Sequence, residues 1–219
     1  MEITLVKAAG PGDRDRTYLE VDGSPGACRF TSSTTFHISS SNPSGDLPGT
    51  VAAVGHVLTT ERLVLRPVSA RDRAWLLAHW TAPEVRRFLF DGAVLSPAEI
   101  AAAIEDSTRS FTAAGYGLWL IRETAAAEMV GTTGLRPLED LGLEVVYSLA
   151  PGAWGKGYAT EAARAVAEHA LGPLALPAVL AEVDEGNAAS VAVAERLGMT
   201  PFQVVPGQLG PMIRYRRAR

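Results

Sequence analysis

The stretch that leaves this 219-residue chain fewest folds is Leu149-Ala150-Pro151-Gly152-Ala153-Trp154-Gly155-Lys156-Gly157-Tyr158-Ala159-Thr160-Glu161-Ala162, the end of a strand passing through a glycine-rich turn into a helix. Glycines let backbone N–H groups approach phosphate oxygens, and a helix start adds unpaired donors and a partial positive charge. Lys156 adds a point charge. The letters fit a pyrophosphate seat, and they also fit a tight strand-to-helix turn that holds nothing. No GxxxxGK[ST] occurs, so this is not a P-loop. A dinucleotide fold wants glycine where Thr160 stands, and too little chain follows Asp184 to complete a doubly wound sheet.

Around this turn, strand-like and helix-like segments alternate, which predicts an α/β (α+β, mixed-sheet) domain covered by helices. Residues 62–67 (RLVLRP) alternate as a strand, and Ser69 precedes a helix carrying Trp75, Leu76 and His79. Ser96-Pro97 opens a helix to about Ala114. Residues 118–122, 128–134 and 143–149 read as an antiparallel meander. Residues 157–170 form a helix whose Ala159, Ala162, Ala163, Val166 and Ala170 make a small-residue face that can lie close to a sheet. A buried strand over 178–184, a helix capped by Asn187 and ended by Gly198, and strands near 202–205 and 212–216 complete the domain.

Residues 1–57 differ. Of the first 56 residues, 24 are Ser, Thr, Gly or Pro, a composition that buries too little apolar area to offset ordering, so a poorly ordered or loosely attached extension is expected there, with the domain over 58–219. The clean start at Leu58 also raises the hypothesis that translation begins at Val57. Overall, 20 Lys+Arg against 24 Asp+Glu give a net charge of −4 with no long run of one sign, which argues against nucleic-acid or membrane-surface binding. A single cysteine, Cys28, excludes an intrachain disulfide, and no Cys/His cluster offers a metal site. The amino terminus lacks the pattern of a secretory signal, so a cytoplasmic location is expected.

The sequence resembles the GNAT acyl-CoA-dependent N-acetyltransferases, in particular the RimJ/RimL-type branch with its ribosomal-protein N-terminal acetyltransferases. The resemblance spans about residues 58–217 and rests on Thr60-Glu61-Arg62-Leu63-Val64-Leu65-Arg66-Pro67, Glu144-Val145-Val146-Tyr147-Ser148-Leu149, the Trp154-to-Ala162 loop, and Asn187-Ala188-Ala189-Ser190 leading to Glu195-Arg196-Leu197-Gly198-Met199. Trp154 stands where many such loops have Gln or Arg. The resemblance implies acetyl-CoA, without a metal, in a cleft where the fourth and fifth strands splay apart. The pyrophosphate would lie on amides from Gly155 to Thr160, through Lys156, Gly157, Tyr158 and Ala159. Pantetheine would pair near Leu149, whose amide would polarise the thioester carbonyl, and Asn187 and Ser190 would touch the other side.

Acetyl transfer needs a neutral amine, which at pH 7 costs roughly 1.4 kcal/mol for an α-amine and roughly 4.6 for lysine. Glu144 shares a strand face with Val146 and Ser148. An ordinary carboxylate is too weak to take the amine proton directly, so Glu144 acts desolvated or through water, or else anchors a substrate ammonium. The tyrosine that often protonates the departing thiolate is replaced by Ala194, which leaves Ser148, Tyr147 or water. The four histidines read as structural, with His169 on a solvated helix face. Trp80, Phe88, Phe90 and Trp119 fit an acceptor pocket or the core. The resulting expectation is an N-acetyltransferase acting by direct attack on a protein N-terminus or a small-molecule amine, as a monomer or homodimer. The rivals are a non-catalytic acyl-CoA sensor and an NAD-dependent enzyme.

Overall fold

The computed structural model describes residues 55–219. The expectations for the extension up to residue 54, Cys28 included, lie outside the described residues. Eight strands form one sheet in the order β1-β2-β3-β4-β5-β6-β8-β7. They are β1 (Leu58–Thr59), β2 (Leu63–Pro67), β3 (Leu118–Glu123), β4 (Met129–Leu138), β5 (Gly142–Leu149), β6 (Ala178–Asp184), β7 (Thr200–Gly207) and β8 (Gly210–Ala218). All neighbours are antiparallel except β5 and β6. The helices are α1 (Arg73–Thr81), α2 (Pro83–Arg86), α3 (Pro97–Ala114), α4 (Tyr158–Leu171) and α5 (Ala188–Arg196). The mixed-sheet expectation holds, with one shift in the count. The short β1 moves the divergent pair from fourth and fifth to fifth and sixth.

Side chains alternate across the sheet, so each face has its own core. On one face the Ala162, Ala163, Val166, Ala167 and Ala170 stripe of α4 is fully buried with Leu63, Leu65, Val145 and Leu149. Residues this small let the helix approach the strands closely. On the other face Leu76 and Trp80 of α1 pack with Ile100 and Ile104 of α3 and Leu120 of β3. α3 starts with a reciprocal cap: Ser96 Oγ accepts from the Glu99 N–H, and the Glu99 carboxylate accepts from the Ser96 N–H at 2.7 Å.

The opening in the sheet follows from local chemistry. β5 and β6 pair only at Glu144↔Leu180. The Ala150 N–H donates to the Val130 carbonyl, so by antiparallel alternation the even-numbered residues of β5 bond β4, and Val145, Tyr147 and Leu149 turn their N–H and C=O groups toward β6. A continued ladder would bring the Glu182 N–H to a β5 carbonyl. The Glu144 carboxylate takes that N–H instead, at 3.2 Å, and the strands diverge beyond it.

Candidate active site

The divergence makes a cleft lined by Tyr147, Ser148 and Leu149 of β5, by Trp154, Gly155 and Gly157 to Thr160 but not by Lys156, and by Asn187 and Ser190 at the start of α5. Gly155 and Gly157 have φ of 75° and 81°, backbone that side chains strongly disfavour. A Cβ on Gly155 would project into open space. Gly157 caps α4 with no side-chain hydrogen bond, and the first helical bond is the Glu161 N–H to the Gly157 carbonyl at 3.1 Å. The N–H groups of Tyr158, Ala159 and Thr160 therefore have no intrahelical acceptor. A bare cradle at the start of a 14-residue helix suits a pyrophosphate, and the β5 amides upstream suit an extended amide chain.

The loop is held by residues just ahead of β2 and in the first turn of α4. Glu161 accepts from Thr60 Oγ1 at 2.6 Å, the Arg62 N–H at 2.9 Å and Arg62 Nε at 2.7 Å. Those donors hold its carboxyl below the usual range, against the opposing push of burial. Arg62 also donates to the Lys156 carbonyl at 2.9 Å, and its guanidinium lies 4.9 Å from the Tyr158 ring centre. The Tyr158 ring is buried, with its hydroxyl on Glu123, so at the cleft this residue offers backbone. Trp154 is 51% exposed, and its indole N–H donates to the Leu149 carbonyl at 2.8 Å, which fixes the peptide at the end of β5. Across the cleft, Asn187 Oδ1 accepts from the Ser190 N–H at 3.2 Å, and the Ser190 side chain lies beside the Tyr147 phenol. Burial pushes that phenol up to about 12.

Glu144 is 2% exposed, and both of its oxygens are engaged, one by Arg136 Nε at 2.7 Å and the other by the Glu182 N–H. Burial pushes its carboxyl up, against the pull of Arg136. It lies three residues, roughly 10 Å, along β5 from Tyr147. Ser148 is nearer the Tyr147 and Leu149 amides and faces α1. Its Oγ lies 2.9 Å from His79 Nε2 and 2.9 Å from Thr132 Oγ1, which accepts from the Trp80 indole N–H at 3.2 Å. In the sequence His79 reads as structural, on the helix with Trp75; it is buried, and no local signal shows its bond to a residue 69 positions away.

One expectation changes. His169 is not on a solvated face: it is partly buried, edge-on to Trp119 at 5.7 Å, with Nε2 3.0 Å from the Gly115 carbonyl. Trp119 is wholly core, packed with Phe111, whereas Trp80, Phe88 and Phe90 reach the cleft beside α2.

Residues 62–200 match the family model described as the acetyltransferase (GNAT) domain. The protein YkkB of Bacillus subtilis (strain 168) is 29% identical over 164 residues, 73% of this chain and 94% of its own length. The acetyltransferase structure from Agrobacterium tumefaciens str. C58 superimposes with a TM-score of 0.65 at 26% identity, covering 83% of this chain and all of that one. The ribosomal L7/L12 α-N-protein acetyltransferase RimL, solved with coenzyme A, shares the fold at a TM-score of 0.64 and 18% identity, covering 74% and 97% of the two chains. With a divergent β5–β6 pair that leads into a bare helix start, and a family match over most of its described length, this chain belongs to the GNAT acetyltransferase family.

Proposed function

We propose that this protein transfers the acetyl group of acetyl-CoA to a primary amine by direct attack, the acceptor being a protein N-terminus or a small molecule. One observation carries the reading: the Tyr147 and Leu149 backbone that faces the gap between β5 and β6 leads, through a short turn over Pro151–Ala153, to the glycine turn and unpaired N–H groups at the start of α4. The fit is chemical as well as spatial. A pyrophosphate meets unpaired N–H groups and the positive end of α4, while a pantetheine amide meets a strand edge.

Bound acetyl-CoA supplies an activated acetyl thioester. The chain's own residues do the rest. The Tyr147 and Leu149 amides are fixed donors toward the cleft, placed to favour negative charge as it grows on a carbonyl oxygen, and the Trp154 bond to Leu149 keeps that peptide from turning. Ser148 presents a hydroxyl on the α1 face, where Trp80, Phe88 and Phe90 wall the approach of an acceptor. Glu84 in the same wall offers a carboxylate to an ammonium group. Glu144 works in this reading at the closed end of the cleft, where it keeps β6 off the β5 edge.

The test is acetyl-CoA-dependent thiol release across short peptides with free N-termini and small primary amines, beside direct measurement of acetyl-CoA binding. Release with at least one amine, with the acetyl group found on its nitrogen, is the expected result. Tight binding with no release on any amine would favour the sensor reading instead.

A further inference from the structure

The hydrogen-bond chain Trp80–Thr132–Ser148–His79 runs from the cleft wall into the core, and donor counting fixes its direction. An indole N–H only donates, so Thr132 Oγ1 accepts from Trp80 at 3.2 Å. The Thr132 hydroxyl then has one proton, and its other partner is Ser148 Oγ at 2.9 Å. If Thr132 donates to Ser148, the Ser148 proton goes to His79 Nε2, 2.9 Å away, and every hydrogen in the chain is used. The opposite direction leaves the proton of Thr132, itself 4% exposed, without an acceptor among these groups, a costly arrangement. The favoured arrangement makes Nε2 an acceptor and puts the ring proton on Nδ1. Ser148 reaches the cleft, whereas His79 is not part of its lining. Trp75 stacks on the imidazole at 4.6 Å and 18°, which fixes the plane of the ring.

Resting on the acyl-transfer reading above, we infer that Ser148 is the proton-relay residue of this site, touching the reacting amine, and that His79 acts through it as a positioning residue that holds the Ser148 hydroxyl. As the amine nitrogen bonds to the acetyl carbon and the carbon–sulfur bond breaks, one amine proton passes to Ser148 Oγ while the Ser148 proton, held at rest by His79 Nε2, passes to the departing sulfur. The products are an amide and a free thiol, and both side chains end as they began. The relay fills the place left by the tyrosine that Ala194 replaces, and it asks little of Glu144.

Two measurements test it. In the full-length protein labelled with nitrogen-15 histidine, the His79 resonance, assigned by its loss in His79→Gln, is expected to show a protonated Nδ1 and an unprotonated, hydrogen-bonded Nε2. A proton on Nε2 would overturn the relay without any acceptor being known. In steady-state assays on an amine the wild type uses, His79→Gln and Ser148→Ala are each expected to lower kcat about 100-fold. The KM for acetyl-CoA should stay within about threefold of the wild type, a split that a merely structural role would not give. Ser148→Thr restores most of the rate, and the double variant is no slower than the worse single one, as for residues acting as a unit. Losses that multiply, or a His79→Gln kcat within about threefold of wild type, would defeat the relay while leaving the acyl-transfer reading intact. Should His79→Gln not fold, the Ser148→Ala and Ser148→Thr pair and the wild-type tautomer decide the matter. A wild type that binds acetyl-CoA but releases thiol with no amine would defeat both readings.

Discussion

Gly131 lies in β4 directly opposite Leu149, in a pair that exchanges no backbone hydrogen bonds and so brings the two strands closest. A Cβ there would sit 2.2 Å from the Ser148 carbonyl oxygen, more than 1 Å short of ordinary contact with a backbone atom that cannot rotate away, and 3.1 Å from Leu149 Cα. Gly131→Ala must therefore push the end of β5 outward, where its amides face the cleft. Overpacking of this kind costs about 1–3 kcal/mol, and a loss near 2 kcal/mol lowers Tm by roughly 4–8 °C in a domain of this size. A 1 Å displacement of catalytic donors costs on the order of 100-fold in rate. Gly134→Ala is the control. Its Cβ would meet the Gly117 carbonyl oxygen at 2.5 Å, a similar clash on the β3 side of the same strand. Scanning calorimetry should show comparable destabilisation, with thiol release impaired far more in Gly131→Ala. Equal kcat/KM in the two variants, at matched losses of Tm, would refute the placement of the reaction at the Tyr147–Leu149 edge.

Three further outcomes follow from particular side chains. Burial pushes the His79 imidazole down to about 4 from an ordinary value of 6.5, so below pH 6.5 the unfolded chain binds a proton that the folded one does not. Stability from this group is complete above about pH 6.5 and falls by about 3 kcal/mol as pH drops through 4; urea midpoints should show the fall in wild type and lose it in His79→Gln. In Glu144→Gln the side-chain amide must set an N–H against either Arg136 or the Glu182 N–H, so acetyl-CoA affinity is expected to drop with kcat at saturation within about tenfold. A kcat loss of about 1,000-fold at unchanged affinity would mark the carboxylate as a base instead. Gly155→Ala imposes roughly 1–2 kcal/mol of left-handed strain on the turn that leads into α4, so acetyl-CoA affinity measured by titration calorimetry should fall. Unaltered affinity would remove the loop as the pyrophosphate seat.

The core unit was legible because its signals are local: alternation in β5, glycines at the turn, and an alanine stripe at helical spacing in α4. The extent of β4 was not. The expected strand stopped at Gly134, yet β4 runs to Leu138 through Pro137, a residue that argues against strand interior. The register explains the tolerance. Pro137 and Leu143 face each other without bonding, so the missing N–H points to the β3 side, where pairing has already ended at Leu118↔Gly134. No one-dimensional pattern carries that fact, because it depends on where a third strand stops. β1 escaped for the same reason: two residues have no period, and it exists only through pairing with Leu65 and Val64.

At the site, residue identity was easier to read than residue work. Thr60, Arg62 and Glu161 all stood in the motifs that carried the family resemblance, but the tie between them spans about 100 residues and appears only once β2 and the start of α4 are side by side. Glu144 is the sharper case. A carboxylate on the strand before a glycine loop reads as a base, an ammonium anchor or a strand-face charge, and the folded chain sets it against Arg136 and the Glu182 amide, at the last point where β5 and β6 touch. Glu182 in turn bonds Arg214 at 2.6 Å, and Arg214 pairs with Glu139 at 3.0 Å, so charges from β4 through β8 converge below the cleft. An open sheet edge in a protein interior would otherwise close by pairing with its neighbour. Charged side chains that accept and donate in place of the ladder remove the reason to close, and the two amides beyond them stay free for a ligand.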